Sequence, residues 1–145
     1  MKTELQIPSE LKFLNVVESW LRISLQVELG DSVDQQHRFN RLRLALVEAF
    51  SNVVRHAHQN RPNLPILIRL EVIEEKIAIE IWDYGEGFDI ETYLPPNPNN
   101  MQISGYGWLI IKQLMDRVEY RLQDTRDGRN CLRLESISSQ KEKAH

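Results

Sequence analysis

The chain has 145 residues, 41% hydrophobic and 27% charged, which suits one globular domain with a sizeable core. Its formal charge of -3 and pI near 5.8 exclude a broad basic field for nucleic acid or anionic lipid. Any polyanion must therefore be held locally, by backbone N–H groups or a metal. Cys131 is the only cysteine, which excludes an internal disulfide and a cysteine-rich zinc site and fits a reducing cytoplasm. No apolar run approaches the roughly 20 residues of a membrane span, and Met1 to Glu4 lacks the apolar stretch of a signal peptide.

Thr3 to Ile7 alternates polar and apolar residues and predicts a short strand closed by Pro8. Ser9 is placed to cap a helix with apolar positions at Leu11, Leu14, Val17, Leu21 and Leu25, ended by Gly30. Ser32 with Gln35 has the form of a capping box and opens a second helix running to about Ala57. The apolar face of that helix is Leu42, Leu46, Ala49, Phe50, Val53 and Ala57. Beside it, Glu48, Asn52 and His56 recur every four residues and form one stripe at the edge of the core. A carboxylate there can take a proton, and an amide oxygen can ligate Mg²⁺. A solvated helix flank has the same spacing.

Residues 58–65 are polar, carry Pro62 and Pro65, and read as a loop. The period then changes to two. Ile66, Ile68, Leu70 and Val72, followed after Glu74-Glu75 by Ile77, Ile79 and Ile81, predict an antiparallel hairpin with one buried face. It ends in Asp83-x-Gly85-x-Gly87, where glycines let a flat ligand approach the backbone and the aspartate can accept from an exocyclic amine such as adenine's. Pro95 to Asn100 is too rich in Pro and Asn for regular structure. Gly105-Tyr106-Gly107 opens a third helix, whose free N–H groups suit phosphate. The P-loop and the dinucleotide-binding glycine pattern are both absent. A final hairpin pairs Val118 to Leu122 with Cys131 to Glu135 across Asp127-Gly128. The order predicts an α+β two-layer sandwich, a mostly antiparallel mixed sheet with helices on one face. A single domain over residues 1–137 is expected, with 138–145 a frayed tail.

The ordered trio of Glu-x3-Asn, Asp-x-Gly-x-Gly and Gly-x-Gly resembles the GHKL (Bergerat-fold) ATP-binding domain of gyrases, MutL and histidine kinases. The form Glu-Ala-x-x-Asn-x-x-x-His-Ala at Glu48 to Ala57, and the run Gly107 to Val118, resemble one branch of it, the bacterial anti-sigma factor serine kinases. This resemblance implies that Glu48 is the general base for a serine hydroxyl and that Asn52 holds Mg²⁺ against ATP. It implies that Asp83 binds adenine above Gly85 and Gly87, with residues 94–104 as a lid. Ser104, Gly105, Tyr106 and Gly107 would lie at the phosphates, and His56 beside them. Ser104 departs from the family's usual glycine, and Asn130 or Cys131 stands where a threonine is common. The implied partners are a STAS-type anti-anti-sigma protein, a sigma factor and a second copy of the chain, with no nucleic acid or membrane. The alternatives are a non-catalytic, nucleotide-gated binding module of the same fold and a detached histidine-kinase-type ATPase domain.

Overall fold

The computed structural model describes residues 1–85, 107–124 and 128–138. Its elements are β1 (Lys2–Pro8), a 3₁₀ turn (Leu11–Phe13), α1 (Leu14–Leu29), α2 (Val33–Asn52) and a π-helical turn (Val53–Ala57). They continue with β2 (Pro65–Ile73), β3 (Lys76–Asp83), α3 (Gly107–Leu114), β4 (Arg117–Asp124) and β5 (Arg129–Ile137). Gly87, Ser104, Gly105, Tyr106, the lid expected at 94–104, Asp127 and the tail beyond Ser138 lie outside the described residues.

The strands form one sheet in the order β1-β2-β3-β5-β4, and every pairing among them is antiparallel. The expected α+β sandwich forms, and among the described residues its sheet is antiparallel throughout. Both expected hairpins form, with Ile68 facing Ile81 in one and Val118 facing Leu134 in the other, and β5 also lies beside β3, with Leu134 facing Ile79. One face carries Ile66, Ile68, Leu70, Ile77, Ile79, Ile81, Leu132 and Leu134, all buried. Against it pack Val17, Leu21 and Leu25 of α1 with Leu42, Leu46, Ala49 and Phe50 of α2. Burial of each such large side chain contributes about 1.5–3 kcal/mol before the entropy of ordering. The other face is charged. Arg69 pairs with Glu4 at 2.8 Å and Glu80 at 3.5 Å, and Arg133 pairs with Glu80 at 3.2 Å.

One local expectation changes. Ser9 does not cap α1; its Oγ is buried without a hydrogen-bond partner, and a 3₁₀ turn with Glu10 at its N-cap precedes the helix. Ser32 does cap α2, accepting from the Gln35 N–H at 3.2 Å. Lower on α2 lies Arg38, which no spacing argument singles out. It is buried and donates from Nε to Ser136 Oγ (3.0 Å) and from Nη2 to the carbonyls of Ser136 (2.8 Å) and Glu75. Burial lowers its pKa, with the Asp116 charge opposing. This side chain satisfies backbone oxygens at the end of the sheet far from the glycine motifs.

Candidate functional site

The site is assembled where α2, the end of β3 and the start of α3 meet. Glu48 and Asn52, one turn apart and half-buried, face Gly107, the first residue of α3. A Cβ added at Gly107 would lie 2.6 Å from Glu48 Oε2, 3.5 Å from Asn52 Oδ1 and 3.6 Å from Asn52 Nδ2. The glycine is thus what lets a carboxylate and an amide approach a helix start this closely. A helix N-terminus favours negative charge, so the Glu48 carboxylate sits in a favourable field, and phosphate oxygens would be favoured beside it.

His56, expected next in this stripe, differs from half-buried Glu48 and Asn52 in being exposed. After Asn52 the helix widens into the π turn, in which the His58 N–H donates to the Val53 carbonyl five residues back at 2.7 Å. The wider turn shifts the phase of every side chain after Asn52. His56 is exposed, while His58 is turned fully inside.

Asp83 closes β3 on the buried face, in register with Ile77, Ile79 and Ile81. Its Oδ1 accepts from the Gly85 N–H at 2.8 Å and from Asn130 Nδ2 at 2.9 Å. Asn130 is directly across on β5 and also donates to the Gly85 carbonyl at 2.7 Å. Both bonds use Oδ1, so neither of these two donors occupies Asp83 Oδ2, the carboxylate edge that remains for a further donor among the described contacts. Burial raises the Asp83 pKa, while the Asn130 and Gly85 hydrogen bonds and the nearby His58 act to lower it. Gly85 is also sterically required: a Cβ there would press on the Ala57 carbonyl and lie 2.7 Å from the Ala57 Cβ. The turn after β3 therefore lies directly on the π turn.

The structure thus brings Glu48, Asn52 and Gly107 together, and separately Asp83, Gly85 and Asn130. His58 joins the second group: its Nε2 accepts from the Tyr84 N–H at 2.9 Å. Sequence spacing gave no signal for His58, because the helical template has no π turn. Asn130 was visible as a departure from the family's usual threonine, and its cross-strand position opposite Asp83 explains its use. No cluster of three or more metal-binding side chains occurs among the described residues. A metal here would rely on one or two protein oxygens, with phosphate and water completing its shell, as Mg²⁺ commonly does. Glu48 and Asn52 Oδ1 are oxygen donors of that kind.

No helix among the described residues is long and apolar enough to cross a membrane. Residues 12–136 match the model of the histidine kinase-like ATPase domain. The chain is 29% identical over 124 residues to serine-protein kinase RsbW of Staphylococcus aureus strain MSSA476, covering 79% of this chain and 76% of that one. Among solved structures, the RsbU and RsbW domains of Rv1364c from Mycobacterium tuberculosis align with a TM-score of 0.64 at 12% identity. That alignment covers 94% of this chain and 32% of that one. The SiaB–SiaC complex from Pseudomonas aeruginosa aligns with a TM-score of 0.64 at 15% identity, covering 94% and 89%. Sheet order, motif order and the matched span agree, and the chain belongs to the histidine kinase-like ATPase domain family, within the GHKL superfamily.

Proposed function

We propose that the chain is an ATP-dependent protein-serine kinase that is also an anti-sigma factor: it phosphorylates a STAS-type anti-anti-sigma protein and sequesters a sigma factor. The observation that carries this reading is the meeting of Glu48 Oε2 and the Asn52 amide at Gly107, where α3 begins. Phosphoryl transfer needs mainly alignment and charge neutralisation. Asp83 Oδ2 receives the adenine amine, with Gly85 and Gly87 beneath the base. Ser104, Gly105, Tyr106 and Gly107 lie along the phosphates. Glu48 accepts the serine hydroxyl proton as that oxygen bonds to the γ-phosphorus, and the bond from that phosphorus to its bridging oxygen breaks to release ADP. Asn52 holds Mg²⁺, which would neutralise phosphate charge when bound. His56, exposed beyond Asn52, lies at the rim near the phosphates.

Similarity to the serine-protein kinase RsbW supports serine as the acceptor, and a fold neighbour solved as a SiaB–SiaC complex supports a protein partner. A phosphate of about -2 charge placed on the bound partner would weaken its complex and let sigma be captured again. A homodimer in the cytoplasm, a single domain over 1–137, and no role for nucleic acid or membrane belong to the same reading. The test is incubation with labelled ATP and a STAS protein from the same cells. Label on serine, lost in Glu48→Gln, is expected. ATP binding without transfer would instead make the chain a nucleotide-gated binding module. Label on histidine would make it a detached histidine-kinase-type ATPase domain.

A further inference from the structure

We infer that His58 is a positioning residue for the nucleotide: through its Nε2 it holds the Asp83–Gly85 turn in the geometry that receives the base. The inference rests on the nucleotide-binding reading above. His58 is the fully buried residue that follows the π turn, and its backbone is fixed at both ends. Its N–H donates to the Val53 carbonyl at 2.7 Å, and its carbonyl accepts from Arg61 Nε at 3.0 Å. Its side chain reaches Tyr84, the residue between Asp83 and Gly85, and accepts that backbone N–H at 2.9 Å.

This bond has a distinct job. Asp83 Oδ1 holds the Gly85 N–H, and Asn130 holds the Gly85 carbonyl, but neither engages the Tyr84 amide. Without His58 the middle of the turn is tied only at its flanks. The peptide linking Asp83 to Tyr84 then has freedom to rotate, and the orientation of Oδ2 goes with it.

To accept at Nε2 the imidazole must be neutral with its proton on Nδ1. Nδ1 is buried and has no hydrogen-bond partner among the described residues. Leaving a buried donor unpaired is unfavourable, a cost that filling space alone would not require. Burial lowers the His58 pKa, which favours the neutral ring. The charged groups that act on it are Asp83, at the end of β3, and Arg61, in the following loop, and their effects oppose each other.

Three variants separate a hydrogen-bonding role from a packing role. Gln places an acceptor near the Nε2 position. Asn has the same chemistry but is too short to reach Tyr84. Phe fills the space with no acceptor. The readouts are Mg·ATP and Mg·ADP affinity by calorimetry and the thermal midpoint without nucleotide. His58→Gln is expected to bind within about threefold of wild type, and His58→Asn and His58→Phe about tenfold more weakly, the equivalent of one hydrogen bond. The weakening should persist at temperatures where each variant is fully folded. A packing role predicts the reverse order, with Phe close to wild type and Gln impaired. That order, or equal affinity in all variants, overturns the inference; if Phe does not fold, the Gln–Asn comparison decides it alone. Absence of nucleotide binding by the wild-type chain would overturn the functional reading itself.

Discussion

Asp83→Asn separates the cost of the site from its use. The carboxylate is 2% exposed, and its pKa is raised chiefly by burial. A carboxyl whose folded pKa lies above its unfolded value contributes stability below the unfolded pKa of 3.8, and that contribution is lost as pH rises through the folded value. At neutral pH the ionised group therefore works against folding. Asparagine keeps an Oδ1 for the Gly85 and Asn130 donors and removes the buried charge. The nucleotide-free variant should melt higher at pH 7; each 1 kcal/mol gained corresponds to roughly 2–8 °C in a domain of this size. Nucleotide binding should move the other way. The new Nδ2 presents a donor where the adenine amine also donates, costing about 1–3 kcal/mol, or roughly 5- to 150-fold in Kd. Differential scanning calorimetry and titration calorimetry on the same samples read both. A variant that binds ATP as tightly as wild type would refute the assignment of Asp83 to the base. A variant that melts lower would refute burial as the dominant influence on the carboxyl.

Glu48→Gln should lower phosphoryl transfer by about 10²–10⁴ while leaving ATP affinity intact, measured by serine labelling beside calorimetry. Gly107→Ala places a methyl 2.6 Å from Glu48 Oε2, so the carboxylate must swing aside. Transfer should then fall on the order of 10²-fold, as expected for a displacement of about 1 Å, and steady-state kinetics check this. Gly85→Ala meets backbone atoms of Ala57 rather than a flexible tip; it should cost about 1–3 kcal/mol of stability by denaturant titration. His58 has a folded pKa below its unfolded 6.5. Its contribution to stability is complete above that value and is lost as pH falls toward the folded pKa. Unfolding midpoints taken across this window should decline in the wild type and less in His58→Gln.

The strands were legible because β2 and β3 carry a large aliphatic residue at every second position, and the same period places Asp83 on the buried face after Ile77, Ile79 and Ile81. Glu48 and Asn52 were legible because four-residue spacing on a regular helix makes neighbours. Beyond Asn52 the helical template stops being a guide, since a π turn replaces the α-helical period and no residue pattern announces it. His58 was hidden for the same reason. Asn130 required strand register, which pairs it with Asp83 from 47 residues away. Arg38 was hidden because a charged residue on a helix normally reads as solvent-facing, whereas its partners are the carbonyls of Glu75, in the turn between β2 and β3, and of Ser136, near the end of β5.

The charged face of the sheet also bears on how the strands find one another. Alternation of apolar and polar residues rejects a slip of one residue but is blind to a slip of two, which returns every side chain to its own face. Charge removes that ambiguity. Glu4 faces Arg69, with Lys2 facing Glu71 on the same side of the sheet. Sliding β1 by two positions sets Lys2 against Arg69 in one direction and Glu4 against Glu71 in the other. On β5, where Glu80 faces Arg133 and Ala78 faces Glu135, a two-residue slide in one direction sets Glu80 against Glu135. Each like-charge pair disfavours the wrong alignment by about 0.2–1 kcal/mol. The ionic rows thus act less as glue than as a frame-keeping mark, holding Asp83 opposite Asn130 so that the site forms at all.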